Sequence, residues 1–184
     1  MSTPQLLAVI LLVAFCIWYL SLLAGRLDRI HIRKDEALVS LKLQLAWRAS
    51  AVAKLLTAKV LDPVSADLLA DQIQQVTHAV ERSLAEYLAA ESGLTSTLCQ
   101  VFDDPEDVAE FSEFEYASSI FTELAAACRR VELARRFHND AVGAAQLLRR
   151  RFLVRWLRLA GHTDWPVALD MNDAVPSGLS QFAA

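Results

Sequence analysis

The chain has 184 residues, 54% of them hydrophobic and 22% charged, with a formal net charge of −4. That apolar share excludes an intrinsically disordered chain. Five glycines and five prolines are too few for the turns of an all-β fold, and the glycines stand too far apart for a phosphate-binding loop. An all-α protein remains, in which no residue set announces a reaction.

The first element is apolar. No charged side chain occurs from Met1 to Gly25, and Leu6–Leu23 is apolar apart from Ser21. At 1.5 Å per residue this run covers about 30 Å, the thickness of a bilayer core. Its Leu, Ile, Val and Phe residues sum to about −4 to −7 kcal/mol of apparent insertion energy. A cleaved signal peptide is the competing reading, since Leu22-Leu23-Ala24 before Gly25 imitates a cleavage site. Such a peptide wants a basic start and a shorter core, so an uncleaved anchor over residues 1–25 is the better reading. Arg26, Arg29, Arg33 and Lys34 follow the span and nothing basic precedes it. The positive-inside rule then predicts a single-pass protein of the cell membrane, with its N-terminus outside and residues 26–184 in the cytoplasm. Cys16, Cys99 and Cys128 form no CxxC pair, which suits reduced thiols.

Residues 26–160 read as a helical bundle and 161–184 as a loosely structured tail. No proline interrupts residues 5–62, so the spanning helix is expected to continue outward. Its apolar positions recur at a 3-4-4 spacing from Leu27 through Leu41, Leu45 and Val52 to Val60, with Lys34 the exception. Asp62-Pro63 predicts a helix start, with the acid as cap and proline at the first helical position. Leu69, Ile73, Val76, Val80, Leu84 and Leu88 then form one stripe, with a cap or kink expected at Ser92-Gly93. Asp104-Pro105 predicts the start of a last, long helix running to about residue 160 and bending near Gly143 if it does not overhang its neighbours. Ala117, Leu124, Val131, His138 and Ala145 lie in its seam. The architecture expected is one transmembrane helix continuing into a long antiparallel bundle of three or four helices.

Charge is segregated: residues 26–59 carry net +5, 62–123 net −13 and 129–158 net +7. Acidic middle helices beside basic outer ones account for this, as does a basic surface meeting anionic lipid. No histidine has a glutamate three residues before it, which argues against a di-iron site, and no metal or other cofactor is expected. His138 reads as a seam histidine with a satisfied hydrogen bond, or as a pH-sensitive group. The stretch Arg149–Arg158 is the most informative. On a helix over 144–160, Leu148, Phe152, Trp156 and Leu159 share one face, with Arg151, Arg155 and Arg158 beside it. A membrane-interface helix, a docking face for a partner, or extra core under the tail all fit. Arg149, Arg151, Phe152, Arg155, Trp156 and Arg158 are therefore the candidate lipid or partner contacts. Nucleic acid is not expected, because the chain is acidic and anchored.

Two motifs resemble the LemA family of bacterial membrane-anchored proteins. Arg33-Lys34-Asp35-Glu36-Ala37-Leu38-Val39-Ser40-Leu41-Lys42-Leu43-Gln44-Leu45 is similar to the family's R-x-x-E-A-x-x-x-I-x-V-Q-L segment. Ala134-Arg135-Arg136-Phe137-His138-Asn139-Asp140-Ala141-Val142 is similar to its A-R-R-F-Y-N-D-A-V marker, with His138 in place of tyrosine. The chain has Val52-Ala53-Lys54-Leu55 where the family has Ile-Pro-Asn-Leu, and runs on into the arginine-rich stretch where the family ends its helix at Ser-Phe-Pro. The resemblance implies a divergent member: a helical bundle on one anchor, without an assigned catalytic activity. Arg135, Arg136, Phe137, His138, Asn139 and Asp140 carry the marker, and a structural or interaction role is expected for them. Glu132–Arg136 and Arg136–Asp140 would form i,i+4 pairs. The function expected is that of a non-enzymatic scaffold binding other envelope proteins or a second copy of itself. The alternative is a lipid-binding accessory acting through residues 144–160.

Overall fold

A computed structural model describes residues 3–104, 108, 115–156 and 164–182. The described residues are predominantly helical and contain no strand: α1 (Thr3–Ala58), α2 (Pro63–Ala79), α3 (Leu84–Val101), α4 (Glu115–Arg149), a short α5 (Phe152–Trp156) and a 3₁₀ turn (Ser177–Phe182). The all-α class expected from composition holds.

Helix α1 runs unbroken for 56 residues, as the lack of internal proline allows. It contains one 18-residue stretch long and apolar enough to cross a membrane, and only 6% of that stretch is buried in the protein. The helix ends where Lys59 turns left-handed at φ 53°. Asp62 then caps α2, its carboxylate accepting from the backbone N–H groups of Val64 (2.9 Å) and Ser65 (3.1 Å), with Pro63 at the first helical position.

The expected single stripe from Leu69 to Leu88 is divided. α2 stops at Ala79, Val80 is exposed, and α3 starts at Leu84 behind Ser83, whose hydroxyl accepts from the N–H of Glu86. Ser83-Leu84-Ala85-Glu86 has the spacing of a capping box, a signal outweighed in the sequence by continuing apolar periodicity. Gly93 is not a cap but lies inside α3. A Cβ there would come within 2.8 Å of Gln72 Oε1, so this glycine permits close approach of α2.

The long helix also ends earlier than expected. It passes through Gly143 and stops at Arg149. Arg151 N–H bonds the Leu148 carbonyl, a tightened final turn, before the chain re-enters helix at Phe152. Arg149 is drawn aside there, donating to the Asp164 carbonyl and lying 5.3 Å over the Trp165 ring. The expected helix start at Pro105, the residues Arg158 and Leu159, and the expected stop at Gly161 lie outside the described residues.

Two compact units form, and they cut across the linear division expected at residues 25 and 160. The first comprises Met1–Ala37 with His138–Ala168; the second comprises Leu38–Phe137 with Leu169–Ala184. In the first, Leu23, Leu27 and Ile30 of α1 pack with Leu148 and Val154. In the second, one core is built by α1 (Leu41, Leu45, Val52), α2 (Leu69, Val76), α3 (Leu94, Leu98) and α4 (Phe121, Leu124, Val131). Phe102 meets Phe121 edge to face at 5.8 Å.

The tail is not loose over 164–182. Met171 and Leu179 are buried in the second unit's core. Asn172 bonds Ser92 and Ser96, Ser177 donates to the Asp103 carbonyl, and Gly178 N–H to the Phe102 carbonyl. Side-chain and backbone hydrogen bonds to α3 and to the two residues after it hold a segment that has little regular structure of its own, which is why periodicity did not reveal it.

Candidate functional site

Just past the apolar stretch, Arg26, Arg29 and Arg33 stand at i, i+3 and i+7 on α1, a spacing that places all three guanidinium groups on one face. Within the first unit this face meets Asp140, Ala141 and Ala144 of α4. Together with Ile30 these residues line a hollow of about 750 Å³. The two alanines are too small to fill the space between the helices, and so leave it open. A second hollow of about 430 Å³ shares Arg26, Ile30 and Ala144 with the first and adds Leu147, Leu148 and Arg151. Among the described residues, Arg26, Arg29 and Arg33 take part in no ion pair. The result is a cationic groove with an apolar floor and a single carboxylate.

The marker residues Arg135–Asp140 have separate surroundings. Arg135, half-buried in the second unit, donates from Nε to the Asp173 carboxylate, and this bond raises its already high pKa. Arg136 pairs with Glu132, the expected i,i+4 pair, and Glu132 also receives Arg129 at 3.2 Å. Phe137 is exposed. His138 is buried, its Nδ1 without a partner among the described residues. Burial pushes its imidazole below the usual pKa, partly offset by a hydrogen bond to the Lys34 backbone. Asn139 is half-buried, and Asp140 lines the arginine groove.

The arginine-rich stretch divides at the helix break. Arg149 is held by Asp164 and Trp165, as described above, and Arg151 lines the smaller hollow. Phe152 and Trp156 stack at 6.4 Å with their rings 9° from parallel, and they are 74% and 71% exposed. Arg155 beside them is exposed. Extra core is therefore not the use of Phe152 and Trp156, whereas Val154 on the opposite side is buried.

Two further features escaped the sequence reading. Val39, Leu43 and Trp47 are exposed along α1 at i, i+4 and i+8, as are Leu133 and Phe137 on α4. These are apolar faces on helices whose other faces already line the core. In the second unit, Arg48 and Glu91 form a fully buried ion pair, with Arg48 Nη1 donating to Thr95 Oγ1 at 2.8 Å. The signal was present: Arg48 continues Leu41 and Leu45 at heptad spacing, and Glu91 continues Leu84 and Leu88. Two apolar seams each carrying one charge of opposite sign point to a buried pair.

The chain matches no family model, no curated protein and no solved structure.

Proposed function

We propose that this protein is a membrane-anchored, non-enzymatic interaction protein of the bacterial envelope, akin to the LemA family. Its helical bundle, with the antiparallel arrangement of that family, stands on the cytoplasmic side of a single span. The observation that carries the reading is the uncharged first part of α1, where large apolar side chains from Leu6 through Ile10, Phe15 and Trp18 to Leu22 stand exposed, followed at once by Arg26, Arg29 and Arg33. Apolar side chains left uncovered along nearly five turns need a lipid environment, and the cations that follow favour the cytoplasmic leaflet. The exposed Val39, Leu43 and Trp47 supply apolar surface for a partner helix or for a second copy of the chain.

Membrane residence and orientation are tested together in cells. Alkaline extraction of membranes should leave the protein with the lipid. A cysteine introduced at Ser2, with the native cysteines replaced, should react with an impermeant maleimide from outside, and one at Lys59 should not. Release at alkaline pH, or the reverse labelling, overturns the reading. Partner binding is tested by affinity purification from mild detergent, in which Val39→Ser, Leu43→Ser and Trp47→Ser together should lose the proteins recovered with the wild-type chain.

A second reading is favoured by the exposed Phe152–Trp156 stack with Arg151 and Arg155 beside it. Aromatic rings flanked by arginine suit the interface of a bilayer. On this reading the stretch 144–160 is a lipid-contacting accessory. Arg151→Ser, Arg155→Ser and Arg158→Ser together should then abolish binding of anionic vesicles by a chain lacking residues 1–25. Unchanged binding at low salt removes it.

A further inference from the structure

We infer that the groove lined by Arg26, Arg29, Arg33, Asp140, Ala141 and Ala144 binds the headgroup of one anionic phospholipid carrying a hydroxyl, of the phosphatidylglycerol type. The inference rests on the membrane reading of α1 and adds a defined site to it. Arg26 lies three residues past Leu23, and Arg33 ten, which places the arginines roughly 5–15 Å along the helix from the end of the apolar stretch. Headgroups extend about 5–8 Å beyond each face of the hydrocarbon core, so Arg26 starts at that level, and the side chains of Arg29 and Arg33 lean back toward it because helical side chains tilt toward the N-terminus.

The chemistry of the lining matches such a ligand. Guanidinium groups present planar pairs of N–H donors that fit phosphate oxygens, and the three here are not engaged with carboxylates among the described residues. A volume of about 750 Å³ is in the range of small-ligand sites. It is ample for a phosphate and a glycerol. Ile30, Leu147 and Leu148, which continue the floor into the adjoining hollow, suit the acyl ester end. Asp140 repels a bare anion but accepts a hydrogen bond from a headgroup hydroxyl, which distinguishes a glycerol headgroup from a phosphate monoester. Basic pockets beside membrane helices on the cytoplasmic side are a recognised arrangement for anionic lipid.

The test uses the full chain in detergent micelles, titrated with dioleoyl-phosphatidylglycerol, with phosphatidylcholine or with inorganic phosphate, and read by native mass spectrometry. A single phosphatidylglycerol adduct should appear at a roughly tenfold lower lipid concentration than the phosphatidylcholine adduct, with inorganic phosphate not competing. Arg26→Gln, Arg29→Gln and Arg33→Gln together should remove the preference. Arg82→Gln, Arg129→Gln and Arg130→Gln together, the same charge change on other exposed arginines, should keep it. Ala144→Phe, which fills the hollow and leaves every arginine, should remove it as well, with helical content by circular dichroism equal to wild type. Equal binding of the two lipids, displacement by inorganic phosphate, or retention of the preference in Ala144→Phe overturns the site. If the protein stays with the membrane while any of these is observed, the site alone fails. If it is recovered free of lipid from lysed cells, the membrane reading fails and the site with it.

Discussion

Arg48 Nη2 donates to Glu91 Oε2 at 2.7 Å with the two side chains 1% and 0% exposed, a charge pair taken wholly out of water between α1 and α3. The same nitrogen reaches the Glu91 backbone carbonyl at 3.1 Å. Tyr87, one turn before Glu91, has its phenol pKa raised by burial and by the nearby carboxylate. Removing water from both charges costs several kcal/mol each, which the attraction between them offsets only while both are present.

Removing one partner should therefore be far more harmful than removing both. Arg48→Met leaves Glu91 buried without its cation and should lower stability by about 3–5 kcal/mol. The double variant Arg48→Met, Glu91→Met should recover most of that loss. Urea denaturation followed by circular dichroism measures both, and equal destabilisation in the single and double variants contradicts a paired role.

His138 should make stability pH-dependent. Its folded-state pKa lies below the ordinary 6.5 because burial disfavours the cation, so the unfolded chain binds the proton more readily. Stability then rises with pH wherever the unfolded state holds more protons. The histidine's contribution is complete above about pH 6.5 and is lost as pH falls through that value toward the lower folded pKa. Melting temperatures from pH 5 to 8 should show this slope, and His138→Gln should flatten it.

Cys128 should be chemically quiet in the folded protein. Burial pushes its thiol up to about 11, and Cys99 is shifted in the same direction. Only the thiolate reacts, so alkylation of Cys128 by iodoacetamide at pH 8 should be at least about tenfold slower in the native protein than in denaturant. Peptide mass spectrometry reads the rate at each cysteine.

Gly178 should resist any side chain. A Cβ there would lie 2.8 Å from the Phe102 carbonyl oxygen and 3.0 Å from that of Asp104, both backbone atoms that cannot swing aside. Gly178→Ala should cost about 1–3 kcal/mol and expose residues 164–182 to limited proteolysis. Lys59→Gly is the opposite case: its left-handed φ of 53° suits glycine, and the change should stabilise by up to about 1 kcal/mol.

Much of this protein was legible residue by residue. The unbroken α1, the Asp62-Pro63 start and the buried seam of Ala117, Leu124, Val131, His138 and Ala145 all follow from patterns within a few turns of one helix. Helix period, caps and the cost of proline act locally, so a linear reading reaches them. Only the tertiary structure decided that Arg48 meets Glu91, that Asp173 holds Arg135, and that three arginines share a hollow with Asp140. Those outcomes depend on which faces of distant segments meet, and burial turns such meetings into obligations: a charge, a hydroxyl or a Cβ is tolerated there only if its neighbour, far off in the chain, complements it.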